Sequence, residues 1–215
     1  MNENLFEAQY DVTKKTKLRK FYESNKIIIF SLIFVITISV ATLTIISSIK
    51  EKKKIIIGEK YITAKIYVKD GQLKKAREIL KSIIQEDDET YSILAFYLIL
   101  NENLVVEKNE LINLFDHILE NNKINDEQKK LVIFKKGLFQ SNFANETELL
   151  NTLKPVINSE NIWRPHALLL LGDFFASKKQ YLKAREFYTQ VLSLKNLNND
   201  IYNQAKSQLI YISNE

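Results

Sequence analysis

The sequence predicts an all-α protein in which a single N-terminal transmembrane helix is followed by a solenoid of α-helical hairpins. The 215 residues include only four Gly and two Pro, too few for the many turns of a β-rich fold. From residue 50 onward, apolar residues recur at i, i+3, i+4 and i+7, as in KKAREILKSIIQ at 74–85, which is the period of an amphipathic helix. The absence of Cys excludes disulfides, thiolate catalysis and zinc–thiolate sites.

The predicted membrane segment is the charge-free stretch at 27–49, which is dominated by Ile, Val, Leu and Phe. A helix of this length crosses a hydrocarbon core of about 30 Å with some tilt. A buried core helix rarely runs so far unbroken, and a cleaved signal peptide has a shorter apolar region of about 7–15 residues. We therefore predict an uncleaved anchor that contacts the lipid bilayer through residues 27–49.

The net charge of +5 comes entirely from the N-terminal quarter of the chain. Residues 1–54 contain ten Lys and Arg against five Asp and Glu, whereas residues 55–215 contain 21 of each. A protein that binds phosphate backbones needs a basic face on its folded domain, so we expect no nucleic acid partner. The basic segment KKTKLRKFY at 14–22 fits either anionic lipid headgroups or a solvated surface.

The flanking charges leave the orientation of the span open. Six Lys or Arg lie close to it on the N-terminal side, from Lys14 to Lys26, and five on the C-terminal side, from Lys50 to Lys60. This difference is too small for the positive-inside rule to decide. A short polar tail, one span and a long domain, in that order, are typical of bacterial inner-membrane proteins with an exported domain. We therefore predict a basic cytoplasmic tail at 1–26, the transmembrane helix at 27–49 and a periplasmic helical repeat domain at 50–215.

Regularly spaced polar breaks divide the predicted domain into about nine helices with short links. The breaks consist mainly of Asn, Asp, Ser, Gly and Lys, most of which favour turns. They lie at residues 70–71, 86–88, 101–103, 121–122, 141–142, 159–161, 177–179 and 195–199. A series of short helices with tight turns is either an array of α-hairpins or a helical bundle.

Two similar segments favour the array. QLKKAREIL at 72–80 and QYLKAREFY at 180–188 share five of nine residues. The distance between them is slightly more than three repeat units of about 34 residues each, so two further hairpins, at 89–121 and 125–158, fit between them. Neither of these two has a clear small-residue pattern, and an ordinary bundle remains the alternative for any single hairpin.

The same frame gives equivalent positions in the two end units. With Ala184 at position 20 of the repeat unit, Gly172 falls at position 8; with Ala76 at position 20, Ala64 falls there. Small residues at positions 8 and 20 let the two helices of a hairpin approach closely, and Gly71 falls in the turn, where positive φ favours glycine. The pattern resembles the tetratricopeptide repeat. Residues 199–213 predict a last helix that caps the array.

The order of these features is similar to that of one family in particular. The segment LKPVINSENIWRPHALLLLGDFFASKKQYLKAREFYTQVL lies near the end, at 153–192. The chain resembles the bacterial inner-membrane proteins with a periplasmic tetratricopeptide-like domain, typified by the ancillary subunit of the Sec translocon (YfgM-like). The Gly of the family's final turn is replaced by Lys179. The matching residues are Leu153, Pro155, Trp163, Arg164, Pro165, Gly172, Tyr181, Ala184 and Arg185.

The resemblance implies a membrane-anchored scaffold that binds translocon components, periplasmic chaperones and exported client proteins, and it implies no reaction. Two alternatives remain open: a precursor-binding receptor with a cytosol-facing repeat domain, and a purely structural subunit of a membrane complex. The length of the tail before the anchor favours the first function over the receptor, because import receptors usually have a very short tail.

The residues give little sign of chemistry. His117 and His166 lie far apart, with no second ligand at metal-binding spacing, and no Gly-rich phosphate loop or nucleophile elbow occurs. We therefore expect no enzyme activity, no metal and no cofactor. The first helices of repeat hairpins line a concave face that binds partners. On that face we predict the protein-binding residues Tyr61, Lys65, His166, Leu169 and Asp173.

Overall fold

The computed structural model describes the backbone of residues 3–213 and the side chains of residues 17–213. Over this range the chain is helical and contains no strand, as its composition predicts. The helices end at the predicted polar breaks: α1 Glu3–Lys69, α2 Leu73–Ile84, α3 Tyr91–Asn101, α4 Lys108–Glu120, α5 Asp126–Gln140, α6 Glu146–Ile157, α7 Arg164–Ser177, α8 Tyr181–Leu192 and α9 Asn199–Ser213. The chain divides into two compact units: the first ends at Ile56 and the second begins at Ile57.

Helix α1 contains the charge-free stretch at 27–49. Within the described range, it is the one helix long and apolar enough to cross a membrane. Its most apolar 18-residue window has a mean hydropathy of 2.6, and none of this window is buried in the protein. Thr37, Thr42 and Thr44 donate their hydroxyl hydrogens to carbonyls one turn back, at 2.8–3.1 Å, so these groups need no water. The structure thus confirms a candidate membrane span near the N-terminus.

The second unit is a sequence of helices in which neighbours along the chain pack together. From α2 to α9 every helix contacts the next, and α7 also contacts α5 and α9. Side-chain caps begin several of these helices, among them α5 and α6: Asn125 Oδ1 accepts a hydrogen bond from the Gln128 amide at 2.9 Å, and Asn145 Oδ1 accepts one from the Glu148 amide at 3.0 Å. Such caps satisfy amides that the first turn leaves without partners.

Two clusters of buried apolar side chains form the core of this unit. The first extends from Ile57 to Val132 and contains the edge-to-face pair of Phe96 and Phe115, whose ring centroids are 4.9 Å apart. The second extends from Leu149 to Ile212. Burial of these side chains is the main favourable contribution to folding, because it removes apolar surface from water.

Close helix contacts recur at one constant sequence separation. A Cβ added at Gly172 would lie 2.4 Å from Cε1 of Tyr188, and one added at Gly137 would lie 2.5 Å from Cδ2 of Leu153. Ala64 and Leu80, which have the same separation in the sequence, are both fully buried in the first cluster. The hairpin at 125–158 therefore has a small residue at the same place as the end units, although the sequence comparison did not align it.

The two turns that precede the similar segments have the same backbone conformation. Gly71 has a φ of 73° and Lys179 a φ of 59°, both in the left-handed region. In each turn the next amide bonds to the carbonyl five residues back: Gln72 to Tyr67 at 2.8 Å, and Gln180 to Phe175 at 2.9 Å. This is the Schellman arrangement of a helix end. The predicted positive φ of Gly71 is confirmed, and Lys179 adopts the same conformation without being glycine.

Candidate protein-binding surface

Tyr61 and Lys65, two of the predicted binding residues, lie on the last part of α1. The ring of Tyr61 is partly buried and lies 5.9 Å from the ring of Tyr91 on α3. Burial raises the pKa of the Tyr61 hydroxyl. Lys65, one turn later, is exposed. A partner on this surface would therefore meet the ammonium group of Lys65 directly and only the outer part of Tyr61.

His166 and Leu169 lie on α7 and are mostly covered by neighbouring side chains. The imidazole of His166 lies 5.7 Å from the ring of Trp163 and 5.8 Å from that of Phe134, measured between centroids. Its Nδ1 atom is buried and has no hydrogen-bond partner among the described residues. Leu169 is only 7% exposed and belongs to the second core cluster. Leu169 therefore packs in the core and exposes little surface to a partner.

Asp173, the fifth predicted residue, forms a hydrogen bond inside its own hairpin. Oη of Tyr188 donates to Oδ1 of Asp173 at 2.7 Å. Burial raises the pKa of Asp173, and the hydrogen bond from Tyr188 partly offsets that rise. Burial and the carboxylate together raise the pKa of the Tyr188 hydroxyl. The pair fixes the Tyr188 ring between α7 and α8, which is a structural role that the sequence did not indicate.

Contacts of aromatic rings connect the first helices of successive hairpins. Between α3 and α5, the Nζ atom of Lys135 lies 5.7 Å from the ring centroid of Tyr97, and burial raises the pKa of Tyr97 to about 12. Between α5 and α7, Phe134 stacks on Trp163 at 6.1 Å. The five predicted residues lie on only two helices, Tyr61 and Lys65 on α1 and the other three on α7.

An apolar groove lies between the α3–α4 link and α5, and we call it the α3–α5 groove. Its volume is about 470 Å³. Val106 is 88% exposed and Leu138 is 49% exposed, and no acidic residue lines the groove. The adjacent pair Val105–Val106 in a polar link was the sequence signal that could have indicated it. The main lining residues are Val105, Val106, Leu111, Lys135, Leu138 and Phe139.

A larger and more polar cleft lies between the links that precede α7 and α9. Its volume is about 1070 Å³. Arg164, His166 and Lys195 line it together with Glu160 and Asp200. Because both signs of charge are present, the cleft has no clear preference for a charged ligand.

Titratable side chains in the described range do not assemble into a metal site. No group of three or more His, Asp and Glu lies close enough there to hold an ion. His117 Nε2 lies 3.1 Å from Oδ1 of Asp87 in the acidic turn before α3. The next residue of that turn, Asp88, accepts hydrogen bonds from the amides of Thr90 and Tyr91 at 2.9 and 2.7 Å. The turn therefore caps the start of α3, where negative charge is favourable.

Comparisons with known proteins identify no relative of this chain. No family model, no curated protein and no solved structure matches it.

Proposed function

We propose that the chain is a membrane-anchored protein-binding scaffold that assists secreted or envelope proteins near the Sec translocon, together with periplasmic chaperones. The observation that carries the protein-binding part is the exposed apolar α3–α5 groove. A partner that binds there would bury its apolar side chains against the valine and leucine side chains of the groove. Contiguous exposed apolar surface of this kind marks binding sites. The proposal assigns no reaction to the chain.

The repeated helix contacts support a tetratricopeptide-like arrangement of the second unit. Three hairpins have a small residue followed, at the same sequence separation, by a large one: Ala64 with Leu80, Gly137 with Leu153, and Gly172 with Tyr188. Successive first helices α5 and α7 also contact each other. Both features are expected where hairpins stack so that each repeat contacts its neighbours.

The candidate span supports the anchoring part of the proposal. Residues 27–49 are free of charge and lie in the helix whose apolar window is wholly unburied. We place the tail in the cytoplasm and the second unit in the periplasm of a bacterial inner membrane. This topology follows from the resemblance to the YfgM-like family and from the order of tail, span and domain.

Photo-crosslinking in cells tests the binding part of the proposal. A photoreactive amino acid replaces Val106 or Leu138 in the groove, and a matched control replaces Leu182, which is 81% exposed on α8 and does not line the groove. We expect crosslinks to exported proteins from the two groove positions that disappear in a chase after protein synthesis stops. Equal crosslinking from Leu182 and from the groove would contradict a specific site.

The same experiment distinguishes the proposed scaffold from its rivals. A crosslink to one protein that persists through the chase indicates a structural subunit of a fixed complex. Protease added to intact spheroplasts tests the topology: we expect residues 57–215 to be digested. If these residues survive, the second unit faces the cytosol, and the result favours the precursor-binding receptor over the periplasmic scaffold.

A further inference from the structure

Two clusters of basic side chains flank the candidate span, and both belong to the first unit. The N-terminal collar consists of Lys17, Arg19, Lys20 and Lys26; the C-terminal collar consists of Lys50, Lys52, Lys53 and Lys54. All eight side chains are exposed. We propose that each collar binds anionic lipid headgroups, one collar in each leaflet, so that the anchor selects anionic lipids on both sides of the bilayer. This inference rests on the proposed insertion of residues 27–49.

The helix geometry places the inner end of each collar, at Lys26 and at Lys50, at the level of the headgroups. Lys26 and Lys50 lie in one continuous helix, and a rise of about 1.5 Å per residue separates them by about 36 Å along its axis. The hydrocarbon core is about 30 Å thick and the whole bilayer about 40–45 Å. The ammonium groups at the two ends therefore emerge in the two headgroup layers, where flexible lysine side chains can extend outward.

The C-terminal collar surrounds the helix. Its four lysines are nearly consecutive, and Glu51 lies among them in the sequence, so they span only about 6 Å along the axis. Because successive residues of a helix are rotated by about 100°, the four side chains point in different directions. A protein partner would cover one side of the helix, whereas lipid surrounds it on every side. This distribution favours headgroups of several lipids over a single acidic protein surface.

The N-terminal collar has the same net charge but a different arrangement. Residues 17–26 contain four basic residues and one acidic residue, and Arg19 Nε already contacts Oε1 of Glu23 at 3.0 Å. Exposed Phe21 and Tyr22 lie between the basic residues, and aromatic rings are favourable at the membrane–water interface. We expect this collar to be the weaker of the two, because its charge is spread over about 14 Å along the helix axis.

Electron paramagnetic resonance of spin-labelled lipids tests the proposal on the full chain. The protein is reconstituted into phosphatidylcholine vesicles that contain a trace of spin-labelled phosphatidylglycerol or spin-labelled phosphatidylcholine. The immobilised fraction of each label gives the relative association constant of the two lipids with the helix. We expect a preference of about fivefold for phosphatidylglycerol at low salt, which decreases strongly at high salt because the charges are screened.

Variants assign the preference to the collars. Replacing all four lysines of the C-terminal collar (K50Q, K52Q, K53Q, K54Q) should lower the preference by more than half, and the N-terminal collar variant (K17Q, R19Q, K20Q, K26Q) should lower it less. The matched control removes four exposed lysines of the second unit (K74Q, K154Q, K195Q, K206Q) and should leave the preference unchanged.

The outcomes separate this inference from the anchor on which it rests. Equal immobilisation of the two lipids by the wild-type chain overturns lipid selectivity while leaving the anchor intact. A loss of preference with only one collar variant overturns the claim for the other leaflet, and an equal loss with the control overturns the collars as its source. If neither lipid is immobilised, the chain is not inserted, and both the anchor and the selectivity are overturned.

Discussion

The first and last hairpins of the second unit contain similar segments but have different residues at the equivalent small and large positions. In the first hairpin the small residue is Ala64 and the large residue at the matching place is Leu80. In the last hairpin these places are taken by Gly172 and Tyr188. All four are buried. The large residue of the last hairpin thus has a bigger side chain, and its small residue lacks the methyl group that Ala64 carries.

This difference shows that the same repeat frame can be packed with either an aliphatic or an aromatic side chain at the large position. An aliphatic side chain such as that of Leu80 can rotate, so a neighbouring methyl group is tolerated. The Tyr188 ring is held at its far end by the hydrogen bond to Asp173, and rigid rings adapt poorly to extra volume. The close approach at Gly172 therefore meets a tethered ring, whereas the equally close approach at Gly137 meets the flexible side chain of Leu153. The predictions that follow test this interpretation.

The largest effect is expected for Gly172→Ala. The added methyl group would lie 2.4 Å from the Tyr188 ring, so we expect a loss of about 2 kcal/mol in the free energy of unfolding, despite the better helix propensity of alanine. Chemical denaturation of the full chain in detergent, followed by circular dichroism, measures this loss. The matched variant Ala64→Gly should cost only about 1 kcal/mol, mainly through helix propensity.

A double-mutant cycle identifies the cause of that loss. In a Tyr188→Leu background the last hairpin has the large residue found in the first hairpin, and Gly172→Ala should then cost clearly less, because a leucine is not held by the hydrogen bond to Asp173 and can shift. An undiminished cost in that background would mean that the clash with the Tyr188 ring is not the reason, and the interpretation of the comparison would be wrong.

A smaller effect is expected at the Tyr188–Asp173 hydrogen bond. Tyr188→Phe removes the donor and leaves a partly buried carboxylate, so we expect a loss of about 1–2 kcal/mol at neutral pH. Leu80→Met, a swap of similar volume at the matching place, should cost less than about 1.5 kcal/mol. Thermal unfolding of both variants beside the wild type measures the difference. A loss below about 0.5 kcal/mol for Tyr188→Phe would show that the hydrogen bond contributes nothing beyond packing.

The same pair predicts a dependence of stability on pH. Because burial raises the pKa of Asp173 in the folded state, the folded protein binds the proton more tightly than the unfolded chain does. The contribution of Asp173 to the free energy of unfolding is therefore greatest when the carboxyl is protonated, below the unfolded pKa near 3.8. This contribution is lost as the pH rises through the folded pKa. We expect Asp173→Asn to be more stable than the wild type at pH 7, by less than about 1 kcal/mol because the group is partly solvated. The gain should shrink toward pH 4, and a gain that is constant with pH would contradict this assignment.

The sequence predicted the helices well because their ends depend on local residues. Turn-forming residues at each break were enough to place the links, and the positive φ of Gly71 followed from its position after a helix. The repeat signal of the hairpin at 125–158 was missed because the large residue Leu149 occupies position 20. Only position 8, at Gly137, has the small residue that the repeat pattern requires.

The candidate site was harder to predict because it depends on contacts between distant segments. Leu169 was expected on a binding face but lies in the core, and the partner of Asp173 is Tyr188 on the next helix. Periodicity shows which face of a helix is apolar, but it does not show which apolar residues the next hairpin covers. The α3–α5 groove likewise depends on how the link with Val106 lies against α5.

The smallest effect is expected in the turns, where the two hairpins differ by Gly71 and Lys179. Both residues have positive φ, a conformation that costs a residue with a side chain about 1–2 kcal/mol. Nothing lies within 4 Å of a Cβ added at Gly71, so Gly71→Ala should cost about 1 kcal/mol through backbone strain alone. Lys179→Gly should stabilise the chain by about 0.5 kcal/mol, because relief of strain outweighs the greater freedom of the unfolded chain. The neighbouring Lys178→Gly, where φ is −90°, should destabilise it, and denaturation midpoints that shift in the same direction for both lysine variants would contradict the equivalence of the two turns.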